Sequence, residues 1–536
     1  MTPGTFTPEQ LITARLIELV DHRTPWHRSL WQVGSLLCLQ EVLEYAEGVR
    51  VGAMRTEGLT HVTKSSSALV QRDVGLGSDE VRAAICRILD LGAVKAGVVD
   101  RSVADSLAQL TRRCENGYIR AWAGAVDRGD VAADQVELTA RSLVSHLLDA
   151  GFSGDHLHGW LLASRDKGVS LPDLLAKADE MCRREPTEYE VLVPFTSLPS
   201  ELASAAGDRY ITWDAMSERL RESRVPDPPV RQGAGALIFR TKAREPKAAI
   251  GAVEIELRRL AARVAIGLSS KSVQPSGHVL VLNGARPRWT PVRSRSSEIL
   301  VSSITRHGLL LPAARSETDT PLDDAFELLA AVETSTSWAS VAAIWAAVEG
   351  LLARADEPGV NAADRMASVV AGGFVRAEMT QLIDVLAASK EPLAEQLGAN
   401  SQLTQPQKLD LLARNLQGGS MPQVNDPADA AAIGRIEALT ADPAVVMTRV
   451  RGYYRDSFRR LFNQRNLLLH GGRFDSVALP ATMRTVPALV AAGIDRLVHA
   501  AMQNEPSSPF ELAARADVEI GLLGTSGSRQ LHRLLD

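Results

Sequence analysis

Arg465-Asn466-Leu467-Leu468-Leu469-His470-Gly471-Gly472 is the stretch on which the reading of the C-terminal third turns. At about 100° per residue a helix sets Asn466 and His470, four apart, on one face, with Arg465 adjacent and long enough to reach the same point. The three leucines turn the rest of the segment toward a core, and the glycine pair predicts a C-cap just past His470. Three polar side chains therefore converge at the end of a packed helix.

Working outward, Val446 to Arg473 holds seven arginines against a single acid, Asp456, while Phe458, Leu461 and Phe462 supply an apolar stripe. Arg455, Arg459, Arg460 and Arg473 are the candidate RNA-binding residues of this run, and a solvated helix face is the alternative. Histidine, whose unperturbed titration falls near neutrality, suits general acid–base work: it can take a proton from a ribose 2′-hydroxyl or give one to a leaving 5′-oxygen. Arg465 would neutralise charge on the phosphoryl oxygens and Asn466 would orient the histidine or the phosphate. The ribose supplies the nucleophile, so this chemistry calls for no metal and no cofactor.

The spacing Arg465-Asn466-(three residues)-His470-Gly471 resembles the motif of the HEPN superfamily, small helical domains found in many RNases of prokaryotic toxin and anti-phage systems. The helix from Trp338 through Trp345 and Glu349 looks like the first long helix of ApeA-like HEPN domains. The resemblance covers roughly Asp323 to Asn504. It implies a dimer in which two motifs meet across a groove and cut RNA to 2′,3′-cyclic phosphate and 5′-hydroxyl ends. It implies Arg465 and His470 as catalytic, with Asn466 supporting and Glu349 carried over beside them; by its own position, four residues after Trp345 beside the apolar stripe, Glu349 needs a partner such as Arg465. A non-catalytic HEPN module for dimerisation or RNA binding is the other reading. A phage-derived trigger or an antitoxin is the partner such systems imply.

The remaining sequence fits a mainly α protein in several parts. A chain of 536 residues exceeds one hydrophobic core. Residues 1–185 read as a helical sensor or regulatory region, with apolar spacings of three and four at Leu30, Val33 and Leu37 and at Val81, Ile85, Ile88 and Leu89. Residues 186–315 read as a small α+β domain: Tyr189–Phe195, Arg209–Trp213, Ala236–Arg240 and His278–Leu282 as strands, Ala248–Ile266 as an amphipathic helix. Ser316–Leu322 is the expected linker. Residues 323–505 form the expected HEPN-like bundle, with separate helices at Ala362–Val375 and Met379–Ala388, and 506–536 a weakly patterned tail.

Composition sets limits on function. A net charge of -5 gives no global reason to bind nucleic acid, so any RNA contact is local. Four scattered cysteines without a CxxC pair fit neither a disulfide framework nor a zinc site, and point to a reducing cytoplasm. Neither a signal peptide nor an apolar run of ~20 residues is visible, so no membrane partner is expected. No GxxxxGK[ST], GxSxG or HExxH motif occurs. Asp155, His156 and His158 read as a polar helix start, since two residues apart on a helix point in different directions. Arg286 to Arg295, with Trp289, reads as an irregular basic surface loop packed by its tryptophan.

Overall fold

The computed structural model describes residues 6–92, 101–130, 135–222, 225–226, 228–229, 233–268, 271–284, 287–292, 299–310, 320–389, 393–398, 401–418, 422, 424–503 and 507–536. It is mostly helical, with one small antiparallel sheet in the middle of the chain. Among the described residues no helix is long and apolar enough to cross a membrane.

The N-terminal region runs α1 (Pro8–Val20), α2 (Ser35–Arg50), α3 (Thr56–Val70), α4 (Asp79–Gly92), α5 (Arg101–Glu115), α6 (Tyr118–Asp127), α7 (Val136–Asp149), α8 (Gly154–Asp166) and α9 (Leu171–Arg183). Capping chemistry sets several boundaries. Thr7 and Gln10 close a reciprocal box at the start of α1, and Ser153 accepts from the His156 N–H at 3.2 Å to open α8. Gly151, at φ 94°, turns the chain between α7 and α8 in the left-handed region that side chains avoid. The four cysteines are free thiols.

In the middle domain β1 (Thr187–Ser197) is central, with α10 (Ser200–Ala206), β2 (Tyr210–Ile211), α11 (Trp213–Glu222), β3 (Gly235–Ala243), α12 (Pro246–Gly267), β4 (Gln274–Pro275), β5 (His278–Val281) and β6 (Trp289–Pro291) following. The strand order is β2-β3-β1-β5-β6, with β4 also on β1 and every pair antiparallel. Alternation along β1 sends Val191, Val193 and Phe195 toward Ile250, Val253 and Leu257 of α12, while Leu192 faces Met216 and Leu220 of α11. Both faces of the sheet are covered, hence the unbroken apolar run in β1. The segment read as an irregular basic loop instead supplies edge strand β6. Trp289 Nε1 donates to the Pro226 carbonyl at 2.8 Å, which fixes the ring; Arg286, Arg293 and Arg295 lie outside the described residues.

The C-terminal part comprises α13 (Ser302–Arg306), α14 (Thr320–Ala330), α15 (Ser337–Leu352), α16 (Val360–Ala387), α17 (Ala394–Leu397), α18 (Gln405–Gln417), α19 (Pro427–Ala441), α20 (Pro443–Gly471), α21 (Leu479–Ala501) and α22 (Pro509–Gly521). Most of the expected linker, residues 316–319, lies outside the described residues. Two expectations are corrected here. The two helices at Ala362–Val375 and Met379–Ala388 are one continuous α16: Arg376, Ala377 and Glu378 between them carry the helix on, and Glu378 is buried by its pairing with Arg28 and Arg435. All three have good helix propensity. The supposed tail holds α22, which opens on a Ser508/Glu511 capping box and buries Leu512, Ala513, Ala516 and Ile520.

The N-terminal and C-terminal parts share their cores. Trp31 belongs to the C-terminal cluster and Leu467 of α20 to the N-terminal one. Beneath them lies a buried ionic seam. Glu137 receives Arg15 Nε and Arg435 Nη1 at 2.6 Å each, and Glu378 receives Arg28 Nε at 2.9 Å and Arg435 Nε at 3.1 Å. Burial alone would raise both carboxyls, but the arginines around them outweigh it and hold both below the ordinary glutamate range.

Candidate active site

Helix α20 begins where Asp442 accepts from the Val445 N–H at 3.1 Å, with Pro443 in the first turn. It ends at Gly472, whose φ of 61° needs glycine and whose N–H donates to the Leu468 carbonyl at 3.2 Å. His470 therefore stands in the final turn. The Arg473 N–H returns to the Leu467 carbonyl at 3.2 Å, folding the next residues back along the helix end.

Leu467 and Leu468 are buried, and Leu467 comes within van der Waals range of Gly48 on α2. Leu469 is 56% exposed, contrary to the expectation that all three leucines turn inward. Three consecutive helix positions span about 200°, more than one core can cover.

Arg465, Asn466 and Glu349 are brought together. Arg465 Nη1 donates to Asn466 Oδ1 at 3.1 Å, and its Nη2 lies 3.8 Å from Glu349 Oε2. Glu349 is aimed by α15: one turn earlier Trp345 is buried, its ring 5.0 Å from that of Phe462. A Cβ at Gly359 would sit 3.1 Å from Glu349 Oε1, so bare backbone leaves room for the carboxylate. His470 is exposed, one turn beyond Asn466, with no hydrogen-bond partner among the described residues. It is not joined to the other three.

The proposed RNA-binding arginines divide sharply. Arg460 is buried, its Nε 3.0 Å from each oxygen of Glu41, so this fold denies it to RNA and that assignment is corrected. Arg459 is held by Asp364, with its Nη1 3.0 Å from His61 Nδ1. Arg455 is half-buried, its Nε enclosed without a partner among the described residues. Arg473 remains at the surface, 3.6 Å from Glu44. Glu44 also accepts from Ser476 Oγ at 2.6 Å; its burial raises its pKa, and Ser476 and Arg473 offset that only in part.

Glu41 and Glu44, which face α20 and the turn after it from α2, are absent from the sequence-based assignment. The signal was present. Two acids three apart inside the apolar run Leu36–Ala46 must either face water or find buried partners. His156 and His158 diverge as their spacing requires, toward Glu245 at 3.6 Å and Asp21 at 3.8 Å. No protein-family model, curated protein or solved structure matches this chain.

Proposed function

We propose that this chain is a metal-independent endoribonuclease of the HEPN type, acting in the cytoplasm as a homodimer. The observation that carries the reading is the end of α20: Arg465 and Asn466 hydrogen-bonded to each other, Glu349 within ion-pair reach, and His470 open to solvent one turn on. A histidine packed against its own core would be unable to meet RNA or a second subunit.

In this mechanism the ribose 2′-oxygen attacks the adjacent phosphorus. Its proton passes to an imidazole acting as base, and the bond to the 5′-oxygen breaks. A second imidazole, His470 of the other copy, protonates the departing 5′-oxygen, leaving a 2′,3′-cyclic phosphate and a 5′-hydroxyl. Arg465 stabilises the charge on the non-bridging oxygens, where its loose contact with Glu349 leaves guanidinium donors free to turn. Glu349 and Asn466 hold Arg465 ready. The N-terminal region, packed along α20, restrains the site until a phage-derived trigger or the loss of an antitoxin releases it, as in abortive infection.

The test is incubation of RNA with the purified chain in EDTA, alongside His470→Ala, with analysis of the ends. Cyclic-phosphate ends that disappear in the variant support the reading. Cleavage undiminished in the variant, or none from the activated protein, sinks it. That His470 makes no hydrogen bond to Arg465, Asn466 or Glu349 within one chain favours, as second reading, a non-catalytic dimerisation or RNA-binding module. The same assay separates the two.

A further inference from the structure

Among the described residues two aromatic rings are exposed, and both stand at the His470 end of the bundle. Trp338, 40% exposed near the start of α15, and Phe474, 54% exposed just past the Gly472 cap, meet edge to face with centroids 5.3 Å apart and planes at 77°. Every other described tryptophan, tyrosine and phenylalanine is buried or half-buried. The two are far apart in sequence, so the fold assembles the pair. The backbone bond from Arg473 to Leu467 brings Phe474 back beside the last turn of α20. Leu469 and Val477, close to Phe474 in the chain, are exposed as well.

An aromatic pair left in water beside a catalytic turn is a recognition feature, because single rings and aliphatic residues normally scatter. Its surroundings say what it recognises. Arg473, at the surface, directly precedes Phe474 in the chain, and Arg465 lies two turns before the Gly472 cap that leads to it. Rings for base faces and arginines for phosphates are the combination that holds a single strand of nucleic acid. A base within an A-form duplex has both faces covered by its neighbours, and cannot use such a platform.

We infer that Trp338 and Phe474 form a stacking platform for an unpaired base next to the scissile phosphate, so that the site takes single-stranded RNA or loops and not continuous duplex. The inference rests on the ribonuclease reading for the position of the phosphate. The two rings bind and position; His470 and Arg465 remain the groups that act on the reacting atoms.

The test uses the full chain carrying His470→Ala, so that a labelled oligouridine survives, and measures affinity by fluorescence anisotropy beside a blunt duplex. Trp338→Ala and Phe474→Ala should each weaken single-strand binding about tenfold, with Trp338→Phe restoring most of it and duplex binding unchanged. Thermal melts confirm that the variants fold, and Trp338→Phe reports on the platform where an alanine variant does not. Single-strand affinity unaffected by either alanine change, or equal losses for duplex and single strand, overturns the platform. Light scattering reads the competing occupant: dissociation of a dimer on Trp338→Ala with unchanged RNA affinity makes this face a subunit contact and also overturns it. Ring-dependent single-strand binding by a wild-type protein that cuts nothing supports the platform while removing the ribonuclease reading.

Discussion

Arg460 and Arg465 lie five residues apart on one helix, each facing a glutamate, yet the fold treats them in opposite ways. Arg460 is 8% exposed and bonds both oxygens of Glu41, itself 1% exposed, at 3.0 Å. Arg465 is 26% exposed, Glu349 36%, and their closest approach is 3.8 Å. The first pair is closed on both sides and has no capacity for another ligand. The second is loose, wet and shared with Asn466, so an incoming phosphate can replace the carboxylate without uncovering a buried charge. At Arg460 α20 is tied to the N-terminal region by a closed ion pair, whereas at Arg465 and His470 it is open to solvent.

The sharpest way to break this comparison is at the open end. His470→Ala should reduce cleavage by about 10³–10⁴-fold, the upper part of what general acid–base catalysis supplies. Its melting temperature should stay within a degree or two of the parent, since the ring is exposed and has no hydrogen-bond partner among the described residues. Single-turnover cleavage and a thermal melt read the two effects separately. A large loss of stability would place His470 in the anchoring class with Arg460.

At the closed end the signs reverse. Glu41→Ala leaves Arg460 charged and buried, and should destabilise the protein by about 3–5 kcal/mol in denaturant titrations. Replacing both partners, Glu41→Leu with Arg460→Met, should recover most of that, because no unpaired charge remains. A double variant as unstable as the single one would mean that the pair does more than neutralise itself.

How far these roles could be read from sequence follows the same division. The extent and cap of α20 were legible, because Asp442-Pro443 and Gly471-Gly472 punctuate it locally. So were the runs of β1 and β3, whose apolar character comes from burial on both faces. Which way each arginine points was not legible. Arg459 and Arg460 flank the stripe of Phe458 and Leu461, and only the docking of α2, hundreds of residues earlier in the chain, turns Arg460 inward. The gap expected between Val375 and Met379 is continuous helix, because Glu378 within it is buried by pairing with Arg28 and Arg435 from distant elements, which no local pattern shows. In α22 the Ser508/Glu511 box was visible, but alanines carry much of its buried face and blur the apolar pattern.

The seam between the two parts offers a pH test. His27 is buried, neither ring nitrogen has a partner among the described residues, and burial pushes its pKa down to about 4 despite the opposing pull of Glu378. Arg28, Arg435 and Arg15 face it as well and add to the depression. Below about pH 6.5 the unfolded chain takes up the proton first, so stability falls as pH drops and levels off below about pH 4. The full loss is about 3 kcal/mol. His146, also lowered to about 4 by burial, acts in the same window. His156 and His499 are lowered by burial too, so comparing denaturant midpoints between pH 7 and 4.5 for wild type and His27→Leu should remove part of the pH dependence; an unchanged slope would assign it elsewhere.

Glu349→Gln is the smallest change and tests the loose pair most directly. The amide keeps the shape of the carboxylate beside Gly359, but it no longer neutralises the guanidinium. Because both side chains are about a quarter to a third exposed, stability should move by less than about 1 kcal/mol in either direction. Cleavage should respond differently. A guanidinium relieved of its carboxylate binds phosphate at least as well, so KM should hold or fall, while kcat drops only if Glu349 is needed to aim Arg465 at the reacting oxygens. A variant with unchanged KM and kcat would make Glu349 a bystander and leave Asn466 as the one residue that positions the arginine.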